Sequence, residues 1–425
     1  MIDEHLDIVL VTFACTAAAQ WAILRGRLPS VLDPLVYFLV TSAFSLTLGT
    51  FVIADASLVL RVYTYFACFY AGLLVVLGRR SFAPAPAAAW IDGRAEHFRA
   101  VLIGCVLIYV ALNAILWYRS GLILFSDDPS LQKSEAYMGG LGFVRRFNWS
   151  VGAFLLVATV YWALWEIRPA SVVALVVVAA TAVVSGSKAA LLPAVVAIGM
   201  YLARPFASRS GRDASPCLRP LVPFVALAAA VPVAAVLIVE NGDLVGAFNA
   251  FVVRLFYFGD VLIYWGDDGL RQHFSSALPL DYIQNTFGSV LGALRLVDYG
   301  NPIGSQFVQY TLPPNVDVSE GIGPNLPFYV SGELFFGMWL APLHAFAIGA
   351  VFGAARRAFL HYRGASLLRY SVLAFLVFMS LTLTADEGLA VGQLFDFALF
   401  FLPILALSSL LRKRTRLLEP AARTA

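Results

Sequence analysis

Apolar runs of about 20 residues recur along this chain of 425 residues, at 6–24, 31–50, 57–78, 100–118, 147–166, 170–185, 189–203, 221–240, 330–354, 366–385 and 388–411. A run of that length matches the hydrocarbon thickness of a bilayer. Inside lipid every backbone N–H and C=O must be satisfied within the segment itself, so each run predicts a helix. The expected fold is therefore an all-α polytopic membrane protein of about 11 transmembrane helices, forming one integral membrane domain over 1–425. Composition supports this: 60% of the residues are hydrophobic and 13% charged, against roughly 25% charged in ordinary soluble domains. A soluble globule and a disordered chain are both excluded. The net charge of +3 is too small to suggest a nucleic-acid partner. Cys15, Cys68 and Cys105 fall inside apolar runs and Cys217 in a basic loop, so no disulfide framework or metal cage is expected.

Charge distribution orients the spans. The segment Met1–His5 has no basic stretch ahead of the first apolar run, which reads as a span with its N-terminus outside and no cleaved signal. Alternation from there puts Arg25 and Arg27, the stretches 79–99, 204–219 and 356–369, Arg168 and the basic tail 412–425 in the cytoplasm. Together these hold 20 of the 29 Lys and Arg, as the positive-inside rule requires. The run 244–265 is apolar enough to be a twelfth span. Were it one, the acidic stretch 266–329 would become cytoplasmic and Arg356–Arg357 external, so it is read as a re-entrant or interfacial helix at the outer face. Two large external loops remain, 119–146 and 241–329. The second is punctuated by Gly300-Asn301-Pro302, Leu312-Pro313-Pro314-Asn315 and Gly323-Pro324-Asn325, which suggests an ordered lid.

Several residues in this outer layer are suited to chemistry. Arg254, inside the apolar 244–265 run, needs an anionic partner: a phosphate, whose oxygens its planar fork matches, or a structural acid such as Asp260. Arg145 and Arg146 begin the fifth span and either meet a polyanion or form a solvated pair. Lys188, in Ser185-Gly186-Ser187-Lys188, sits in a short outer turn whose small residues would let amides approach an anion; alternatively it snorkels. Glu333, one turn inside the ninth span, is a candidate general base or sugar-hydroxyl acceptor, or the counter-charge of an arginine. Asp386-Glu387 read as solvent-facing loop acids, and Asp396 as the partner of another helix. The pairs Asp127-Asp128 and Asp267-Asp268 suit a divalent cation or plain polar loops. His273 is a minor candidate base. Gly349-x-x-x-Gly353 reads as helix packing. No phosphate-binding glycine loop, His-Glu-x-x-His pair or Gly-x-Ser-x-Gly turn is present in the sequence, and neither a metal nor a cofactor is expected.

The Ser185-Gly186-Ser187-Lys188 turn, the arginine-bearing segment around Arg254, and Gly323-Pro324-Asn325 followed by Glu333-Leu334-Phe335-Phe336-Gly337 give the chain its resemblance. Together with the two unequal external loops, they make it similar to the Wzy-type polymerases of bacterial O-antigen, capsule and exopolysaccharide. That resemblance implies a membrane glycosyltransferase of the GT-C type at the outer face of the bacterial inner membrane. It would move an undecaprenyl-pyrophosphate-linked glycan en bloc onto a hydroxyl of an incoming lipid-linked repeat, alongside a chain-length regulator protein. It implies Arg254, Arg145, Arg146 and Lys188 on the pyrophosphate, Asn325 and His273 in glycan binding, and Glu333 as base. An O-antigen ligase shares the fold and donor and would give His273 a larger part. A flippase or other transporter would instead show repeated halves, interrupted helices and polar residues at mid-membrane.

Overall fold

The computed structural model describes residues 6–78, 95–123, 136, 141–185, 190–206, 257–298, 300–313, 323–363 and 366–423. Fourteen α-helices occur among them: α1 Leu6–Leu24, α2 Pro34–Val52, α3 Ala56–Leu77, α4 Ala95–Ser120, α5 Gly142–Trp165, α6 Pro169–Val184, α7 Leu192–Ala203, α8 Val261–Trp265, α9 Asp268–His273, α10 Pro279–Ala293, α11 Ile303–Thr311, α12 Phe328–His361, α13 Leu367–Ala385 and α14 Glu387–Arg423. No strand is found among the described residues, and the protein is an all-α polytopic membrane protein. Ten of the eleven expected runs fall on these helices; the run 221–240 lies outside the described residues. Eight helices, α1 to α5 and α12 to α14, are long and apolar enough to cross a bilayer. At 16 and 12 residues, α6 and α7 are shorter than a full crossing needs.

Local chemistry sets the helix starts. The Asp33 and Asp55 side chains accept the amides of Leu35 and Ser57, capping α2 and α3. Proline opens α2, α6 and α10, where its missing N–H leaves no helical bond unmade. The core forms around α5, which is buried along almost its whole length from Val144 to Trp165. Phe154 meets Phe375, Phe397 and Phe401 at 5.9, 5.0 and 4.5 Å between ring centres. On the opposite side Asn113 of α4 and Asn148 of α5 exchange amide hydrogen bonds of 3.2 and 3.1 Å, an arrangement that leaves little amide unsatisfied in an apolar interior.

The closest helix pair is α3 with α12, and glycine makes it possible. A Cβ at Gly349 would lie 2.0 Å from the Phe69 carbonyl oxygen, and one at Gly72 2.0 Å from the Phe346 carbonyl oxygen. Gly353 faces Leu73 and Val76 on the same seam. The Gly349/Gly353 spacing thus serves packing, as expected. The order of the contacts, 69 with 349, 73 with 353 and 76 with 357, makes the two helices parallel.

The same seam shows that α12 is not one straight rod, which corrects the ninth span expected over 330–354. Gly337 has φ 68° and ψ 171°, a conformation outside any helix. Phe328 stacks on Phe69 at 5.0 Å, yet Gly349 also touches Phe69. In a straight helix those two residues would be about 31 Å apart. The chain therefore reverses at Gly337: residues 328–336 form a short arm of about 13 Å folded back on the arm 338–361, with Gly332 against Ala341 and His344. The arm 338–361 alone, at about 36 Å, suffices for a crossing.

Polar contacts collect at two ends of the bundle. At one end Arg356 pairs with Asp33 at 2.5 Å and donates to the Arg27 carbonyl at 2.9 Å. Arg27 bonds the Gly78 carbonyl, Arg204 the Tyr370 hydroxyl, and Glu166 pairs with Arg99 and Arg168. Every one of these basic residues belongs to the set the charge count assigned to one side. At the other end lie the pairs Arg61–Glu333, Arg146–Asp396 and Arg271–Asp55.

Residues 244–256 of the expected re-entrant or interfacial helix lie outside the described residues; the described end of that run is a 3-10 turn, Tyr257–Gly259, followed by the five-residue α8. One further expectation changes. Glu387 is buried, with 2% of its surface exposed, and not a solvent-facing loop acid. The folded-back arm covers it.

Candidate functional site

An open cleft of about 570 Å³ lies at the end of the bundle that carries Glu333. One wall is the outer part of the short arm, Glu333 to Phe336, with Gly337 and Met338; the other is α8 to α10, through Trp265, Arg271, Gln272, Ser275 and Pro279. The reversal at Gly337 lies beside Glu333, and the folded-back arm carries that residue to the cleft.

One helix, α3, holds the Glu333 carboxylate through two side chains. Tyr65 donates its hydroxyl to Oε2 at 2.8 Å, and Arg61 approaches Oε1 at 3.2 Å. Both come from α3, four residues apart and so on one helix face. The Glu333 side chain is 10% exposed and that of Arg61 26%. The carboxylate is thereby fixed at the cleft, with lone pairs left to accept a proton or a hydroxyl.

Across the cleft Arg271 is held by the Trp265 carbonyl at 2.9 Å, by Asp268, and by Asp55 at 3.8 Å. Hydrogen bonds from Ser57, with the nearby Arg61 charge adding to them, hold the Asp55 carboxyl below its usual value. Asp268 has 88% of its side chain exposed. Such an exposed pair is worth about 1 kcal/mol or less, so an anion in the cleft can take Asp268's place on the guanidinium at little cost. One side of the cleft then presents the Arg271 guanidinium and the other a positioned carboxylate.

Behind the wall is a second polar cluster. Glu387 accepts Ser331 at 2.6 Å and the Tyr282 hydroxyl, and lies 3.2 Å from His344 Nε2. Burial, with the adjacent carboxylate, pushes the Tyr282 hydroxyl well above its usual value, so it stays a donor. Tyr282 also packs on Phe335 and Phe336 at 5.7 and 4.9 Å. This cluster fastens the arm that carries Glu333.

The residues singled out in the sequence fare unevenly. Glu333 lines the cleft and also has the arginine partner that was its other reading. Asn325 is exposed in the extended stretch before the arm. His273 is exposed, its ring 4.9 Å from both Phe274 and Tyr310, and is not part of the lining although Gln272 and Phe274 beside it are. Arg145 stacks over Trp149 at 4.4 Å. Arg146 binds Asp396 at 3.0 Å and the Ser289 carbonyl at 2.7 Å, which supplies the helix partner expected for Asp396. Neither arginine lines the cleft. Asp267 caps α9 by accepting the Leu270 amide. Arg254, Lys188 and Asp127-Asp128 lie outside the described residues.

Arg271, Arg61 and Tyr65 were missed by sequence reasoning. Arg61 carries the signal that singled out Arg254, a guanidinium inside an apolar run. Arg271 resembles any loop arginine until the cleft is seen. No cluster of three or more His, Cys, Asp or Glu placed to hold a metal occurs among the described residues. No protein-family profile, curated protein or solved structure matches the chain.

Proposed function

We propose that this protein is a membrane glycosyltransferase that polymerises lipid-linked oligosaccharide repeat units, as the resemblance to the Wzy-type polymerases implies. The observation that carries the reading is Glu333, fixed by Tyr65 and Arg61 in an open cleft that faces the Arg271 guanidinium. In the transfer, Glu333 accepts the proton of an acceptor sugar hydroxyl as that oxygen bonds to the anomeric carbon of the donor. The bond from that carbon to the pyrophosphate breaks, and the pyrophosphate leaves with the electron pair. Arg271 stabilises the departing charge, its guanidinium exchanging Asp268 for phosphate oxygens. The site then lies at the outer face of a bacterial inner membrane, with the N-terminus outside, the basic tail inside, and a chain-length regulator as partner.

A second reading has one observation in its favour. An interrupted helix with buried polar groups at the break is a feature of transporters, and α12 has both at Gly337, Ser331 and His344. The surface polysaccharide of a strain lacking this gene, run on a gel beside its parent, tests both. A ladder reduced to a single repeat on its carrier supports polymerisation; loss of all capped material points to ligation or flipping; an unchanged ladder refutes all three. Complementation with Glu333→Gln is expected to leave the single-repeat band, with the protein present in the membrane at the parental amount.

A further inference from the structure

Helix α10, Pro279–Ala293, belongs to the stretch that the charge pattern assigns to an external loop, yet its surface is not that of a helix in water. At about 100° per residue its positions divide into three sectors. Tyr282, Asn285, Thr286 and Ser289 share one sector and face the protein. Tyr282 binds Glu387, Thr286 is 4% exposed, and Cβ positions built on Gly388 and Gly392 of α14 would lie 2.9 Å from the Asn285 carbonyl oxygen and 2.5 Å from Ser289 Oγ. Leu280, Ile283 and Phe287, with Leu294 just past the helix end, make the second sector and are 70, 49, 42 and 54% exposed. Asp281 and Gln284 make the third, adjacent sector and are exposed; Arg295, past the helix end with φ 57°, is exposed as well.

The polar side packs inward while a continuous apolar stripe points outward, the reverse of a helix covering a soluble core. The stripe has one polar flank. A second exposed apolar set, Met338, Trp339, Leu340 and Leu343 at 49, 84, 54 and 65% exposure, lies on the arm of α12 that is long and apolar enough to cross a bilayer, and Met338 shares the cleft lining with Pro279 at the start of α10.

We propose that α10 lies along the water–lipid boundary, with Leu280, Ile283, Phe287 and Leu294 against acyl chains and Asp281, Gln284 and Arg295 toward water. An apolar face beside a charged one is the pattern of interfacial helices. The occupant of the stripe is bilayer hydrocarbon. Pro279 and Met338 line the cleft, so its mouth opens at headgroup depth, where an amphiphile can present a polar head without leaving the bilayer. This placement does not rest on the glycosyl-transfer reading.

Nitroxide accessibility tests it. Cys15, Cys68 and Cys217 are changed to Ser, the buried Cys105 is kept, and single cysteines replacing residues 280 to 295 are spin-labelled in phosphatidylcholine/phosphatidylglycerol vesicles. Oxygen, which concentrates in hydrocarbon, is expected to reach 283, 287 and 294 most; a water-soluble nickel chelate is expected to reach 281, 284 and 295 most. Nickel access at 283 and 287 equal to that at 284 overturns the placement in favour of water. Exclusion of both reagents from 283 and 287 overturns it in favour of a protein partner. Should the cysteine-depleted chain fail to fold, Phe287→Trp in the otherwise unmodified chain is read with brominated lipid. Quenching beyond that of the parent supports the proposal, and its absence overturns it.

Discussion

Removing Arg356 should cost stability in a way that depends steeply on pH. Arg356 and Asp33 are both wholly enclosed, 2.5 Å apart, at the end of the bundle where α2 begins. Burial works to raise the Asp33 carboxyl above its usual value of 3.8, even with the Arg356 charge beside it. In Arg356→Met no cation offsets that burial. Removal of one partner from a buried pair generally costs about 3–5 kcal/mol. The buried acid also has an escape, protonation, whose cost at about 1.36 kcal/mol per pH unit sets a ceiling. At pH 7.5, 3.7 units above the usual value, the ceiling is about 5 kcal/mol; at pH 5 it is about 1.6 kcal/mol. Loss of the bond to the Arg27 carbonyl adds about 1 kcal/mol at either pH. Because the folded-state value of Asp33 in the variant lies above the unfolded one, its stability is retained below about pH 4 and lost as pH rises. Asp33→Asn with Arg356→Met should recover all but about 2 kcal/mol at pH 7.5, since Asn also caps helices well. The assay is equilibrium unfolding of purified protein in mixed micelles, followed by tryptophan fluorescence at pH 5 and 7.5. A deficit in Arg356→Met that is the same at both pH values, or a double variant as unstable as the single, refutes the reasoning.

Gly349→Ala should lower the thermal midpoint and broaden the size-exclusion peak, because its Cβ would lie 2.0 Å from a backbone oxygen that only a shift of α3 can move; an unchanged midpoint would contradict the parallel α3–α12 seam. Glu387→Ala leaves Ser331, Tyr282 and His344 without their acceptor and is expected to cost about 3 kcal/mol or more, while Glu387→Gln costs less; micellar unfolding reads both. Arg271→Ala should remove the polysaccharide ladder with little change in midpoint, since its partner Asp268 is exposed; a normal ladder removes Arg271 from the proposed chemistry.

The Gly349/Gly353 packing pair and the two layers of charge were legible in the sequence. Each is a local consequence of residue type. The cleft was not. Glu333 was visible as a carboxylate near one end of an apolar run, but its partners Tyr65 and Arg61 lie 268 and 272 positions away in the chain. Asp386-Glu387 read as loop acids because nothing nearby in sequence announces the arm that folds over Glu387.

Sequence by itself determined that this protein is helical and crosses membranes, because a bilayer imposes run length and internal hydrogen bonding on every segment separately. It also determined which basic residues share an end, since alternation leaves no freedom once the spans are set. Tertiary structure alone decided that residues 328–336 turn back at Gly337, which side of Glu333 faces the cleft, and that Arg271 stands opposite. Those outcomes depend on close approach between distant backbones, notably Phe69 against both Phe328 and Gly349. A pattern of hydropathy, averaged over 20 residues, does not register a reversal made by one glycine with positive φ.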